Sequence, residues 1–221
     1  MSHKNDMNKI QKFIDKYFAL YLSECKAHNP LLEAEDQLDS PPTNVELATI
    51  MPYLKLKNTN PLIIGSIAVI KHLHVTSEDI RARTYRLTNR MEIFLSGVLP
   101  PPPFGWKLKK DSADLSTWIS TLGSRVDFFS EKDLFPEECE KPLHLNPDSE
   151  SVQMDCPVAD SRTLFSIKLH LFSPRDLQDL LLLSRKLGIP KNLNKLLSTS
   201  RQRKNLTFIR RWIKMHGFHP S

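Results

Sequence analysis

The side chains that most often bind metals are present in this chain, but their spacing does not bring them together. Eight histidines and three cysteines are spread along 221 residues. His72 and His74 lie two residues apart, and Cys139, His144 and Cys156 belong to one acidic stretch. The recognised zinc sites need closely spaced pairs of ligands, and neither group supplies them. We therefore expect surface or core histidines, with no metal and no cofactor.

Motifs for catalysis are also missing from the sequence. It contains no HExxH, no GxSxG, no phosphate-binding P-loop and no GxGxxG. Glu137, Glu138 and Glu140 form a carboxylate cluster in a proline-rich stretch. A solvated charge run is more common there than a general acid–base pair. The sequence thus favours a protein that is not an enzyme and takes no small-molecule substrate.

Basic residues are concentrated in the last third of the chain. Residues 161–221 hold thirteen Lys or Arg and two acids, a net formal charge of +11. The preceding 160 residues hold 18 bases and 23 acids, a net of −5. A positive field of this kind attracts polyanions, because neutralised phosphates release their condensed counterions. Nucleic acid is therefore the first partner to consider, and double-stranded DNA is the form we expect.

The same basic segment carries the start and stop signals of paired helices. Ser173 can cap a helix that Pro174 begins, and Gly188 suits its end. A turn and a second helix from about Lys191 would follow. Over residues 184–197 the chain resembles the helix-turn-helix of bacterial DNA-binding regulators, whose turn contains a glycine. Those motifs usually place an apolar residue six positions after the glycine.

Here that position holds Asn194, and Leu193 comes one residue earlier, which leaves the register of the second helix open. The resemblance implies that this helix enters the major groove, where Asn can contact adenine and Lys can contact guanine. Dimerisation through the first helix of the chain would match two half-sites. The predicted contact residues are Arg185, Lys186, Lys191, Asn192, Asn194, Lys195, Arg201, Arg203, Lys204, Arg210, Arg211 and Lys214.

The leading hypothesis is thus a DNA-binding protein, either a transcriptional regulator or an accessory factor of replication or of a mobile element. The alternative is a non-enzymatic adaptor, an assembly subunit or a bacterial effector whose basic end docks an acidic protein surface. A second helix-turn-helix pattern, at residues 73–99, is better explained as a helical hairpin with solvated arginines. No signal segment or membrane span is evident, and the odd cysteine count favours a reducing compartment. We expect an intracellular protein, cytoplasmic in a bacterium.

The predicted fold is mainly α with a small β element, that is, α+β. Residues 1–99 form a helical domain with helices near 5–28, 44–52, 62–73 and 77–99. A strand over residues 62–69 is the alternative to the third helix. Residues 100–111 form a proline-rich linker, which is more typical of a rigid spacer than of a docking ligand. Residues 112–160 are acidic and partly irregular, with a short helix or a strand before Gly123. Residues 161–221 form the basic domain, with a strand at 164–172, the paired helices, and a last helix from about Asn205 to His216.

Overall fold

The computed structural model describes residues 9, 12, 15–16, 41–74, 88–110, 116–134 and 145–216 of the chain. Within these residues the helices are α1 (Asn44–Leu56), α2 (Gly65–Leu73), α3 (Glu131–Leu134), α4 (Ser149–Gln153), α5 (Ser161–Leu171), α6 (Pro174–Leu187), α7 (Leu193–Leu196) and α8 (Ser200–His216). The strands are β1 (Pro61–Ile64), β2 (Met91–Leu95), β3 (Trp106–Lys110), β4 (Ser116–Ser120) and β5 (Arg125–Phe129).

The five strands form one mixed sheet in the order β1-β2-β5-β4-β3. Strands β2 and β5 are parallel, and the other neighbouring pairs are antiparallel. The outer edge of β1 is covered by residues 157–159. There the Ile63 N–H donates to the Pro157 carbonyl at 2.8 Å, and the Ala159 N–H donates to the Ile63 carbonyl at 2.9 Å. This coverage removes one exposed strand edge.

Helices lie on both faces of the sheet. On one face Trp118 of β4 is fully buried against Phe128 of β5 and Tyr53 of α1, with ring centroids 4.6 and 6.2 Å away. On the other face α2 packs on β2 and also contacts α5 and α6. Helix α5 itself contacts five other helices, namely α2, α3, α6, α7 and α8. The side chains of α5 are consequently buried from Thr163 to His170.

The predicted fold class is wrong in the weight it gives to the sheet. A five-stranded mixed sheet with helices on both faces is an α/β fold, not a helical fold with a small β element. The strand predicted at 164–172 is wrong as well, because these residues belong to helix α5. Apolar residues alternate there with Ser166, Lys168 and His170, which is typical of a strand with one solvent-exposed face. All three polar residues are nevertheless buried.

Four further predictions for the first 123 residues differ from the structure. The helix predicted at 62–73 begins as strand β1 and becomes helical only at Gly65. Strand β2 occupies part of the helix predicted at 77–99, while residues 75–87 lie outside the described residues. The short helix before Gly123 is instead strand β4, the alternative that the sequence had left open. The predicted linker, 100–111, contributes strand β3.

The predicted starts of α1 and α6 are confirmed, and each has a capping side chain. The Thr43 hydroxyl accepts from the Glu46 N–H, and the Glu46 carboxylate accepts from the Thr43 N–H at 2.7 Å, so α1 starts as predicted. It continues through Pro52 to Leu56, beyond the predicted end. The predicted first helix, residues 5–28, lies outside the described residues except for positions 9, 12, 15 and 16, which are helical.

Gly65 is needed where β1 passes directly into α2. Its φ is +69°, and an added Cβ would overlap the Glu92 carboxylate on the neighbouring strand. We expect Gly65→Ala to lower the free energy of unfolding by about 2–4 kcal/mol, because backbone strain adds to the steric conflict. Gly105→Ala is the matched control. It shares the positive φ, +84°, but has no atom within 4 Å of its Cβ position. Urea denaturation should show the smaller loss there, and equal losses would contradict the steric role of Glu92.

Glu46 gives the fold a defined dependence on pH. Burial opposes its ionisation, but hydrogen bonds from Thr43, Ser120 and Ser124 outweigh it and hold the pKa of Glu46 below its ordinary value. A carboxyl whose pKa is lowered in the folded state stabilises the protein above its unfolded pKa, about 4.3, and loses that effect as pH falls. Glu46→Gln should therefore flatten part of the stability loss below about pH 4.5, measured by urea denaturation across pH. The exposed Glu131→Gln is the control, and parallel curves for wild type and Glu46→Gln would refute the assignment.

Candidate nucleic-acid interface

The basic residues of the last third are held in place by the buried helix α5. The Gln202 side-chain N–H donates to the Ser166 carbonyl and hydroxyl of α5, at 2.8 and 3.0 Å. Its carbonyl oxygen accepts from the backbone N–H groups of Ser198 and Thr199. Further along α8, the Asn205 side chain donates to the Leu169 carbonyl at 2.8 Å. These bonds fix which face of α8 points inward.

The opposite face of α8 is basic and exposed. Leu206 and Ile209 are buried with Gln202, while Trp212 and Ile213 continue the same side at half-burial. Helical spacing of 3.6 residues per turn then places the basic residues on the outside over three turns. Those residues are Arg203, Lys204, Arg210, Arg211 and Lys214. We call this set the α8 basic face.

The two acids of the segment do not neutralise this surface. Asp176 and Asp179 lie on the inner side of α6, and Lys168 of α5 reaches both of them. The Lys168 Nζ lies 2.6 Å from an Asp179 oxygen and 3.3 Å from an Asp176 oxygen. All three residues are buried. The two carboxylates therefore compensate one buried lysine, and eleven of the other twelve bases of the segment are exposed to solvent, with Arg203 half-buried.

The predicted helix-turn-helix is present only in part. Helix α6 starts at the Ser173 cap and ends before Gly188, whose φ is +74°, as predicted. Asn192 then adopts a left-handed conformation, φ +63°, and α7 extends only from Leu193 to Leu196. Four residues rise about 6 Å, so the helix expected from Lys191 is one turn and not a full recognition helix.

The register that the sequence left open is decided by Leu193. Its side chain is completely buried, whereas Asn194 is exposed. Lys191, Asn192, Asn194 and Lys195 consequently all face solvent on a short exposed turn. The long helix of this region is α8, with 17 residues, and it begins five residues earlier than expected.

The structure sorts eleven of the twelve predicted contact residues into two groups, and Arg201 belongs to neither. One is the α8 basic face, and the other surrounds the turn between α6 and α7, with Arg185, Lys186, Lys191, Asn192, Asn194 and Lys195. The groups meet where the Arg203 guanidinium donates to the Leu197 carbonyl at 3.2 Å. Arg201 lies at the start of α8 and donates to the Leu171 carbonyl of α5 at 3.3 Å. Both of these arginines thus help to hold α8 as well as carry charge.

Among the described residues, most of the remaining bases form no ion pair with a carboxylate. Within the part of the chain that the structure describes, no ion pair involves any member of the following set: Lys186, Lys191, Lys195, Lys204, Arg210, Arg211 and Lys214. An unpaired surface cation keeps its full attraction for an external anion, apart from screening by salt. The arrangement is therefore suited to contact several phosphates along one extended polyanion.

A second charged cluster lies on the sheet and is neutral within itself. Glu92 of β2 is paired in register with Asp127 of β5. Arg90 and Arg125 lie 3.1 and 2.8 Å from the Asp127 oxygens, and Thr117 donates to the same carboxylate at 2.8 Å. Burial raises the pKa of Glu92, although nearby cations oppose that shift. With its carboxylates bound to arginines, the cluster stabilises the sheet and leaves few oxygen atoms for a cation.

Of the other candidate ligands, His72, His74 and Cys156 belong to the described residues, whereas Cys139 and His144 lie outside them. His72 lies 2.8 Å from the Ala159 carbonyl through Nε2, and burial is the main reason that its pKa is lowered. His74 ends α2 in a left-handed conformation. Cys156 is a free, buried thiol whose pKa burial raises to about 12. Among the described residues no group of three or more His, Cys, Asp or Glu side chains could hold a metal ion.

One feature of the interface was missed at the level of sequence. Thr199 and Gln202 form a capping pair, in which the Thr199 hydroxyl accepts from the Gln202 N–H at 3.1 Å and the Gln202 carbonyl accepts from the Thr199 N–H at 2.9 Å. A threonine followed three residues later by glutamine is the known sequence signal for such a start. It marks the true beginning of α8.

Comparison with known proteins gives no family for this chain. No protein-family model matches it, and no curated protein matches it. In the described part of the chain, none of the helices has both the length and the apolar character that a bilayer crossing requires. Function must therefore be inferred from the residues and their arrangement.

The buried pair of Lys168 and Asp179 positions α6 against α5. Lys168→Met would leave Asp179 buried without its cation, and we expect a loss of about 3–5 kcal/mol in the free energy of unfolding. The double variant Lys168→Met/Asp179→Leu should recover part of that loss, because the fully buried Asp179 charge is removed. Only Asp176, which also accepts from the Ser173 N–H and hydroxyl, then lacks the lysine. Lys186→Met, on the exposed side of α6, is the control and should change stability by less than about 0.5 kcal/mol. Urea denaturation measures all three, and a loss below about 1 kcal/mol for Lys168→Met would refute this role.

Proposed function

We propose that the chain is a DNA-binding protein and that the α8 basic face contacts the phosphate backbone of a duplex. One observation carries this proposal. The two acids of residues 161–216 are buried on Lys168, so the outward charge of this segment is positive. A role in transcription, or as an accessory factor in replication or in a mobile element, follows from DNA binding. So does a location with the DNA, which in a bacterium is the cytoplasm.

The dimensions of α8 suit an extended polyanion. Seventeen residues give a helix of about 25 Å, and its basic residues recur at each turn of about 5.4 Å. Arginine can hold a phosphate with two parallel hydrogen bonds, and lysine contributes a mobile point charge. Contacts of this kind fix position and affinity but carry no sequence information.

The turn between α6 and α7 offers the groups that could contact bases. Asn192 and Asn194 flank the buried Leu193, and Lys191 and Lys195 lie beside them, all on the solvent side. Asn can bond to both exposed edge atoms of adenine, and Lys can bond to guanine, in the major groove. A turn as short as α7 would enter the groove only with its outermost residues, whereas a long recognition helix would lie along the groove.

Docking to an acidic protein is the second candidate, and one observation favours it. Phe208 and Met215 are 48% and 72% exposed, and both lie on the outside of α8 next to its basic residues. The Phe208 ring also meets Phe172 edge-on, with centroids 6.0 Å apart. Protein interfaces combine such apolar anchors with charged rims. The salt dependence of binding distinguishes this candidate from DNA.

Reversal of two charges on the α8 basic face tests the DNA proposal. Lys204→Glu/Arg211→Glu should weaken binding of a random duplex at least about tenfold at low salt. It should also make the slope of log K against log salt shallower by about 2, because two phosphate contacts are lost. Fluorescence anisotropy with a labelled duplex at several salt concentrations measures both quantities.

The matched control is Lys107→Glu/Lys132→Glu, which makes the same change of charge at exposed lysines outside the segment. It should leave the slope nearly as in wild type. Wild-type protein that binds no duplex at low salt would overturn the proposal, and equal losses for the two double variants would show attraction by net charge alone. Lys191→Glu/Lys195→Glu tests the turn separately. If that variant binds as tightly as wild type, the turn is not part of the contact.

A further inference from the structure

Prolines constrain the backbone of the segment between Val98 and Phe104, and a turn at Phe104 and Gly105 ends it. Four prolines follow one another from Pro100 to Pro103, between β2 and β3. Each proline holds φ near −65°, and a residue that precedes a proline is driven out of the helical region. The described residues contain no cis peptide bond, and the first positive φ in this stretch is at Gly105. These constraints favour a left-handed polyproline II helix.

The exposure of the side chains has the period of that helix. Val98, Pro101 and Phe104 are exposed, and the four residues between them are half-buried. A polyproline II helix has three residues per turn and rises 3.1 Å per residue. Ideal polyproline II geometry would place the three exposed residues in one row, with successive members about 9 Å apart. Val98 is 90% exposed and Phe104 is fully exposed, so the row ends in two large apolar side chains that pack on nothing in the described chain.

The protein holds this row rigidly from behind. The Tyr53 hydroxyl of α1 donates to the Pro101 carbonyl at 2.8 Å, and the Trp106 N–H donates to the Pro103 carbonyl at 3.0 Å. The Pro100 and Pro102 carbonyls accept no hydrogen bond from the described residues. A flexible spacer would not be tied to the core in this way. A ligand held in its bound shape loses little entropy when it docks.

Exposed lysines accompany the row. The Lys57 ammonium lies 5.8 Å from the centre of the Tyr53 ring. Lys107 follows Trp106, the first residue of β3, whose N–H donates to the Pro103 carbonyl. Both lysines are exposed, and neither forms an ion pair within the residues that the structure describes. Charge complementarity then calls for acidic groups on the surface that meets this segment.

We propose that residues 98–104 are a preformed polyproline ligand for a partner domain whose groove is lined by aromatic side chains and rimmed by acids. Aromatic rings stack on the ring of Pro101 and receive Phe104 and Val98 in flanking pockets. Tryptophan or tyrosine donors in the groove bond to the Pro100 and Pro102 carbonyls. SH3, WW and EVH1 domains recognise polyproline segments in this mode. This surface is independent of the α8 basic face.

The test is a titration of the full chain into a panel of isotope-labelled SH3, WW and EVH1 domains with acidic groove rims. We expect amide shifts confined to the aromatic groove of at least one class. Pro101→Ala/Phe104→Ala should weaken that binding at least tenfold, since it removes two of the three exposed residues. Lys107→Glu should weaken it severalfold at low salt. Val45→Ala, an exposed apolar residue of α1 outside the row, should bind as wild type.

Thermal unfolding of each variant distinguishes loss of binding from loss of the fold. Because the substituted side chains are exposed, we expect the melting temperature of each variant to equal that of wild type. The absence of groove shifts in all three classes would overturn the proposal. Wild-type affinity in the Pro101→Ala/Phe104→Ala variant would overturn it too. An unchanged affinity for Lys107→Glu would rule out the acidic rim and hence the stated partner.

Discussion

Helix α5 is buried from Thr163 to His170, and this burial sets requirements that the surrounding helices must meet. A helix covered by five others must place its polar side chains inside the protein, where each needs a partner. Lys168 finds Asp176 and Asp179 on α6, and Ser166 finds Gln202 on α8. These contacts order the helices as well as satisfy the groups. Removal of water from a lysine and two aspartates costs several kcal/mol per ion, so only good geometry keeps the cluster favourable.

The same contacts explain why the surface charge of the last third is so uniform. Its two acids are buried and paired with Lys168. The bases on α8 point outward because Gln202, Leu206 and Ile209 on the same helix are buried. The sheet follows a similar rule, with Asp127 held by Arg90 and Arg125. Charges inside the protein are therefore compensated locally. What remains outside is an unbalanced positive face on a rigid helix.

Much of the local structure was predictable, because short-range hydrogen bonds decide it. Thr43 and Ser173 start their helices through side chains only three residues from the groups they bond, and Gly188 ends α6 with a positive φ. The predicted contact residues are polar or charged, and all of them except the half-buried Arg203 are exposed, as expected from the cost of burying such groups. The predicted type of element was wrong where a segment is buried on both faces, because its apolar residues then lack the spacing typical of a helix. Helix α5 showed a strand-like alternation because its polar positions are filled by residues with buried partners, and no neighbour in sequence reveals them.

Sequence alone was sufficient for the Thr43 and Ser173 caps, the concentration of positive charge in the last third, and a stiff run of prolines, since each depends on residue type or on neighbours along the chain. Tertiary structure alone decided that residues 161–171 are helical, that Leu193 and not Asn194 points inward, and that α7 is a single turn. It also decided which edge of the proline segment is exposed, through Tyr53, some fifty residues away. These outcomes depend on which surfaces meet, and long-range packing can override a local pattern whenever a buried partner supplies the missing hydrogen bond or charge.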